Sequence, residues 1–128
     1  MTTFKIDQDR EKTARLRGWI IFLLYHARPR CLEADSLRRL LDQYNLPLSR
    51  RKLGEEIAYL HSLRLVDVAL TNSQSTPDEM QQQRFIQHYA DPDRDDLVSD
   101  ILCITLTAAG INFQEGTPER LDGIGRME

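Results

Sequence analysis

Apolar residues recur at helical spacing in two neighbouring stretches, residues 35–44 and residues 50–63. Within each stretch they stand three and four residues apart, which places them on one face of a helix. They are Leu37, Leu40, Leu41 and Tyr44 in the first stretch, and Leu53, Ile57, Leu60 and Leu63 in the second. The pattern therefore predicts two amphipathic helices in succession.

The residues between these helices predict a tight turn. Asn45 readily takes the left-handed backbone conformation that ends a helix, and Pro47 lacks the N–H group that a continuing helix needs. Ser49 is a suitable N-cap for the second helix, because its side chain can accept a hydrogen bond from an early backbone N–H. Together the two helices and the turn form a predicted helix-turn-helix.

A longer helix is predicted upstream, from about Arg10 to Ala27, after a frayed N-terminal arm of residues 1–9. Apolar residues extend most of the way round this helix, so it should be buried on nearly all sides. They are Leu16, Trp19, Ile20, Ile21, Phe22, Leu23, Leu24, Tyr25 and Ala27. We expect either a central core helix or a helix whose outer face is covered by a second copy of the chain, as a homodimer through the first helix.

Two strands are predicted downstream of the helix-turn-helix. In residues 65–70, Leu65, Asp67 and Ala69 would lie on one face of a strand and Val66, Val68 and Leu70 on the other, which is typical of a half-buried strand. Residues 101–106 form a second apolar run. An antiparallel hairpin is the expected pairing. Thr107 then reads as the N-cap of a short helix that ends near Phe113.

The segment between the two strands, residues 71–100, is polar and acidic and is predicted to form a long inserted tip of the hairpin. Pro77, Asp78 and Glu79 are typical of a helix start. The stretch from Gln83 to Ala90 fits either a helix or a strand. The tail, residues 116–128, has little periodicity and could pack across the domain or stay loose.

The charge of the chain is divided between its halves. The net charge is −3, but residues 1–64 carry +5 and residues 65–128 carry −8. A local basic face can bind phosphate although the whole chain is acidic, and the basic half contains the predicted helix-turn-helix. The alternative is that the acidic half is only a solubilising surface.

Length and composition predict a single cytoplasmic domain, residues 1–128. No stretch resembles a signal peptide, and the most apolar run, residues 19–25, is too short to cross a bilayer. Cys31 and Cys103 form no CxxC pair and lie in apolar surroundings, which predicts two buried, reduced thiols. The alternative, which no sequence pattern supports, is a disulfide between them.

Three cations at the start of the second amphipathic helix are the most informative feature for function. Arg50, Arg51 and Lys52 occupy the first turn, where the helix dipole favours acidic residues. An anion at this helix start would explain them, because free N–H groups and cationic side chains would meet it together. The alternative is a solvated basic surface.

Residue patterns of catalysis and metal binding are not found in the sequence. There is no glycine-rich phosphate loop, and the three histidines are scattered. Asp91, Asp93, Asp95 and Asp96 lack the glycine and the closing glutamate of a calcium loop, so a solvated acidic loop is expected. We expect no enzyme, no cofactor and no metal.

The predicted order of helix, helix-turn-helix, strand, loop and strand is that of a winged helix. The chain resembles this superfamily over roughly residues 12–70 and 100–113. The residues that carry the resemblance are Ser49-Arg50-Arg51, Ile57-Ala58-Tyr59-Leu60 followed by Leu65-Val66, and Leu106-Thr107-Ala108-Ala109-Gly110. The implied fold class is α+β and mainly helical, with a three-helix core and a two-stranded wing that has a long inserted tip.

More narrowly, the chain resembles the small winged-helix proteins of Mu-like phages and prophages, which also end in a short Gly-Ile tail. Here that tail is echoed by residues 122–126. Two features depart from the pattern. About thirty residues stand where the family has a short wing, and Arg64 stands where winged helices often have glycine.

The resemblance bears on the fold more than on the function. From the cations concentrated at one helix start we expect a DNA-binding transcriptional regulator, acting as a dimer on double-stranded DNA, with its third helix in the major groove. Ser49, Arg50, Arg51 and Lys52 would hold phosphates, and one arginine could read guanine. Glu55 and Tyr59 lie one and two turns further along that face, and Glu55 could accept a hydrogen bond from a cytosine amino group. The alternative function is a protein-interaction module without DNA binding, in phage assembly or as a complex subunit.

Overall fold

The fold is α+β and mainly helical. A computed structural model describes the backbone of residues 2–70, 77–91, 102–116 and 124. Within these ranges the chain forms five helices and one three-stranded antiparallel sheet. The elements are α1 (Thr2–Ala27), β1 (Leu32–Glu33), α2 (Ala34–Gln43), α3 (Arg50–Ser62), β2 (Val66–Leu70), α4 (Glu79–Ala90), β3 (Leu102–Leu106) and α5 (Ala108–Glu115).

The two predicted amphipathic helices are present as α2 and α3. Asn45 lies just beyond the end of α2 with a φ of 62°, in the left-handed region, as its position predicted. The Ser49 hydroxyl accepts a hydrogen bond from the Lys52 backbone N–H at 3.0 Å, which confirms Ser49 as the N-cap of α3. These local signals fix where α2 stops and where α3 begins.

The sheet has the strand order β1-β3-β2, so β3 lies in the middle. The predicted antiparallel pairing of β2 with β3 is confirmed, in the register from Val66↔Leu106 to Leu70↔Leu102. The third strand, β1, pairs with β3 through Leu32↔Ile104 and was not predicted. A strand of two residues is too short to show an alternating pattern, which explains why the sequence predicted two strands only.

The cysteines form a disulfide. Cys31 lies just before β1, Cys103 lies in β3, and the pairing of these strands brings their Cα atoms to 5.8 Å. The prediction of two buried free thiols is therefore wrong, since Cys31 is also exposed. The cause of the error is the missed strand β1, because only this strand places Cys31 beside β3.

The core lies between α1, the other helices and the sheet. Ile20, Ile21 and Leu24 of α1 are fully or almost fully buried, and Ile124 of the tail also packs into the core. The first helix begins at Thr2 rather than near Arg10, so the predicted frayed arm continues α1 instead. Its side chains from Arg10 to Lys12 and at Arg15 are exposed, and its packing against the core begins at Leu16.

The inserted segment contains a helix. Of the two alternatives for residues 83–90, the helix is correct: α4 begins after its N-cap Asp78 and runs to Ala90. It packs antiparallel against α3, since His61 late in α3 hydrogen-bonds Gln82 early in α4 at 2.8 Å. The rest of the predicted inserted tip, residues 71–76 and 92–100, lies outside the described residues.

The α3–α4 contact is tightest at Gly54. A Cβ atom at Gly54 would stand 2.5 Å from the Ala90 Cβ atom, which is closer than two carbon atoms can approach. Glycine at the middle of a helix costs up to about 1 kcal/mol relative to alanine. Its presence in α3 is therefore explained by the close approach of α4.

We expect Gly54→Ala to lower the free energy of unfolding by about 1–3 kcal/mol, although alanine is the better helix former. The added methyl group forces α4 away from α3. Urea unfolding followed by circular dichroism measures the effect. The control is Gly54→Ala combined with Ala90→Gly, which removes the opposing methyl group and should recover more than half of the loss. A Gly54→Ala protein more stable than the wild type would contradict this packing.

The closing motif of the resemblance, residues 106–110, has a structural role. The Thr107 hydroxyl accepts a hydrogen bond from the Gly110 N–H at 3.1 Å and donates one to the Arg64 carbonyl at 2.6 Å. A Cβ atom at Gly110 would collide with the Leu65 carbonyl oxygen. The motif thus joins the start of α5 to the turn between α3 and β2.

Candidate nucleic-acid interface

The three sides of helix α3 face the core, helix α4 and solvent. Its core side contains Leu53, Ile57 and Leu60, all fully buried. A second side, with Gly54 and His61, packs against α4. The third side points outward. Its exposed residues are Arg51, Lys52, Glu55 and Ser62.

Arg50 lies apart from the other two cations of the helix start. It is half-buried, and its guanidinium carbon stands 4.6 Å from the centre of the Tyr89 ring at the end of α4. A cation over an aromatic face is stabilised by the ring quadrupole. Its Nε atom is buried without a hydrogen-bond partner. Helix α4 therefore provides an intramolecular partner for Arg50.

Arg51 and Glu55 form an exposed pair one helical turn apart. The Arg51 Nε atom lies 3.5 Å from the Glu55 Oε1 atom, and the two side chains are 70% and 55% exposed. Exposed pairs of this kind contribute at most about 1 kcal/mol. Both groups can therefore exchange this contact for a stronger one with a ligand.

Lys52 has a buried partner. Its Nζ atom lies 3.2 Å from the Oε1 atom of Glu56, whose side chain is only 4% exposed, while the lysine itself is 47% exposed. The opposite oxygen of Glu56 lies 2.6 Å from Arg17 Nε of α1. Lys52 thus neutralises an internal carboxylate while about half of its side chain stays exposed.

Tyr59 is half-buried, and the Arg17 guanidinium carbon stands 3.6 Å from its ring centre. Arg17 and Glu56 were not among the residues predicted from the sequence. Arg17 is far from α3 in the chain, and no local pattern connects the two. Glu56 did carry a signal, because it stands three residues after Leu53 and four before Leu60, on the side of the core.

Two more arginines of α2 lie beside the start of α3. Arg38 donates a hydrogen bond to the Leu48 carbonyl at 3.2 Å and pairs with Asp35 at 3.4 Å, and Arg39 is exposed. They line a recess of about 380 Å³ together with Asp35, Asp42, Pro47 and Leu48. Because two carboxylates and two guanidinium groups share this recess, its lining has no net charge to attract an anion.

Tyr89 connects α4 to this recess. Its hydroxyl donates a hydrogen bond to the Asp35 Oδ1 atom at 2.9 Å. Burial, and then the bond to Asp35, raise the pKa of Tyr89 above its ordinary value, so the phenol stays protonated. The contact fixes the end of α4 against the start of α2.

The predicted site residues are thus only partly brought together. Arg51, Lys52 and Glu55 share the outward side of α3, and Ser49 caps that helix. Arg50 turns towards α4, and Tyr59 lies under Arg17 at the edge of the outward side.

Metal-binding and membrane-spanning features are absent from the described ranges. No three His, Cys, Asp or Glu side chains there come close enough together to hold a metal ion. Of the predicted acidic loop only Asp91 is described; Asp93, Asp95 and Asp96 lie outside. No helix of the part described combines the length and the apolar character needed to cross a bilayer.

No protein-family model matches the chain, and neither a curated protein nor a solved structure shows significant similarity to it. An inference about function therefore rests on the geometry and chemistry of the chain.

Proposed function

We propose that this protein is a winged-helix DNA-binding protein, a transcriptional regulator that places α3 in the major groove of duplex DNA. The observation that carries the proposal is the outward side of α3. Arg51, Lys52 and Glu55 are exposed there, beside the capped helix start. No described residue of the chain covers that side.

The order of elements supports the winged-helix part of the proposal. Helix α1 precedes the helix-turn-helix of α2 and α3, and the antiparallel strands β2 and β3 follow it. Between those strands lies α4, which packs on α3. In this arrangement α3 is the reading element.

The proposed contacts differ in kind. Arg51 and Lys52 hold phosphates or, for Arg51, the acceptor edge of a guanine, and Ser49 contributes at the helix start. Glu55 accepts a hydrogen bond from a cytosine amino group, with Tyr59 one turn further along. Arg50 is assigned to the α3–α4 contact instead, since Tyr89 covers its guanidinium group.

Binding should be of modest strength and sensitive to salt. The chain is acidic overall, with a net charge of −3, so attraction depends on a few cations near α3. Each phosphate that is neutralised contributes a slope of about −0.9 to the dependence of log affinity on log salt concentration. Two to four such contacts make that slope clearly measurable.

We expect Arg51→Glu to weaken binding to random duplex DNA at least tenfold, because it puts a carboxylate beside the phosphates and beside Glu55. Fluorescence anisotropy at two salt concentrations measures both affinity and salt slope. The matched control is Arg84→Glu, the same charge change on the exposed side of α4, which should weaken binding less than threefold. Circular dichroism of both variants checks that the fold is kept.

Equal affinities of the wild type and Arg51→Glu would refute the assignment of α3 as the reading element. Wild-type protein that shows no salt-dependent binding at all would refute the DNA-binding proposal.

The second candidate is a protein-interaction module, in phage assembly or in a larger complex. The observation that favours it is a surface row of aromatic side chains on α1 and at the end of α2, including Trp19 and Tyr44. Absence of DNA binding combined with stoichiometric co-purification of one identified partner would support this function.

A further inference from the structure

The two cysteines of the disulfide differ in their exposure to solvent. Cys31 is exposed between α1 and β1, whereas Cys103 lies in the middle strand β3 and is only 6% exposed. Side chains alternate along a strand, so Cys103 shares one face of β3 with the exposed Thr105, while Leu102 and Ile104 point into the core. The bond therefore lies on the outer face of the sheet, and Cys31 is its solvent-side member.

The bond attaches a very short strand to the sheet. Strand β1 has only two residues, Leu32 and Glu33, which pair with Ile104 and Cys103. So short a pairing provides few backbone hydrogen bonds, so the disulfide is a large part of the attachment. The chain is fixed on either side, because α1 ends at Ala27 and α2 begins at the fully buried Ala34. Opening the bond would thus release one short segment, residues 28–33, between two packed helices.

We propose that Cys31 is a thiol-exchange site, at which a low-molecular-weight thiol of the glutathione class opens the disulfide and releases β1 from β3. Thiolate attack depends on access to the attacked sulfur, and exposed disulfides are the more labile ones. Cys31 is the exposed member of the pair and Cys103 is buried. The attacking sulfur therefore bonds to Cys31 Sγ, and Cys103 Sγ is the leaving group.

The exchange proceeds in two balanced steps. In the first, a bond forms between the attacking sulfur and Cys31 Sγ, the Cys31–Cys103 bond breaks, and its electron pair goes to Cys103 Sγ, which takes a proton from water. In the second, another thiolate attacks the small-molecule sulfur of the mixed disulfide, and Cys31 leaves as a thiolate. Two small thiols are oxidised to their disulfide, and the two cysteines receive the two electrons.

The effect of opening the bond is local. Helix α2 keeps its fully buried Leu37 and Leu41, and Asp35 in its first turn accepts a hydrogen bond from the Tyr89 hydroxyl of α4. Helix α3 is held by its own buried side chains. Exchange at Cys31 therefore changes the surface at the connection between α1 and α2 while the rest of the domain stays folded.

The first experiment locates the mixed disulfide. Folded, full-length protein is mixed with reduced glutathione, quenched with acid at early times and digested with pepsin at low pH, where thiols no longer exchange. Mass spectrometry of the peptides should find at least ten times more glutathione on Cys31 than on Cys103. Equal amounts on the two cysteines, or an excess on Cys103, would overturn the assignment of Cys31.

The second experiment tests whether exchange occurs in the folded protein. The rate constant of reduction by glutathione should stay within about twofold across urea concentrations below the unfolding transition. The free energy of unfolding falls linearly with urea concentration, so reduction that required global unfolding would accelerate steeply over the same range. Such an acceleration would make the bond a purely structural cross-link and would overturn the proposal.

Hydrogen–deuterium exchange measures the release of β1. On reduction by glutathione, a peptide covering residues 28–35 should exchange at least tenfold faster, while peptides from α3 should stay within about twofold. Equally faster exchange in α3 would contradict a local release. The control is the double variant Cys31→Ala and Cys103→Ala, whose exchange should not respond to glutathione. None of these readouts depends on DNA binding.

Discussion

Arg17→Met should lower the free energy of unfolding by about 3 kcal/mol, since removing one partner of a buried ion pair leaves the other charge uncompensated. Arg17 holds the Oε2 atom of Glu56 at 2.6 Å, and the glutamate side chain is only 4% exposed. Methionine keeps much of the volume but offers no donor. Lys52 remains as a partner at 3.2 Å, so the effect should fall at the lower end of the usual range.

A double-mutant cycle separates the charge from the packing. Arg17→Met combined with Glu56→Met removes both members of the pair and should recover at least 1 kcal/mol of the loss, because no charge is then left buried. Urea unfolding followed by circular dichroism provides all four stabilities. If Arg17→Met alone lowered the free energy of unfolding by less than 1 kcal/mol, Lys52 would be sufficient to neutralise the buried Glu56 carboxylate.

Reduction of the Cys31–Cys103 disulfide should lower the free energy of unfolding by up to about 4 kcal/mol. The bond joins residues that are 72 positions apart, so it removes much of the conformational entropy of the unfolded chain. It also ties β1 to the middle strand β3. Urea unfolding with and without a thiol reductant measures the difference.

The control for this prediction is the double variant Cys31→Ala and Cys103→Ala, whose stability should be the same with and without reductant. Its stability should also be close to that of the reduced wild type. A wild-type stability that changes by less than 1 kcal/mol on reduction would contradict the structural role of the bond.

The parts of the fold that sequence predicted are those decided by neighbouring residues. Ser49 and Thr107 cap their helices as expected, and Asn45 takes the left-handed conformation just past the end of α2. The β2–β3 pairing also follows from two clear apolar runs. Each cap and each apolar run is formed by residues within a few positions of one another.

The parts that sequence missed depend on contacts between distant segments. The strand β1 exists because β3 lies beside it, and the disulfide follows from that pairing. The helical part of residues 2–9 continues a helix whose apolar pattern begins later. No window of neighbouring residues contains this information.

The candidate site was likewise predicted only where neighbouring residues decide the structure. The cationic start of α3 and its cap were readable in the sequence, but the neighbours of those cations were not. Tyr89 covers Arg50, and Arg17 holds Glu56, from helices far away in the chain. Internal partners thus account for part of a basic cluster for which the sequence offered only two explanations, a bound anion or a solvated surface.

The division of α3 into separate sides has an evolutionary consequence. The glycine that admits α4 and the residues that fill the core cannot change without loss of stability, but Arg51, Glu55 and Ser62 carry no such constraint. Selection could therefore replace the outward residues one at a time and alter what the helix recognises while the scaffold stays intact.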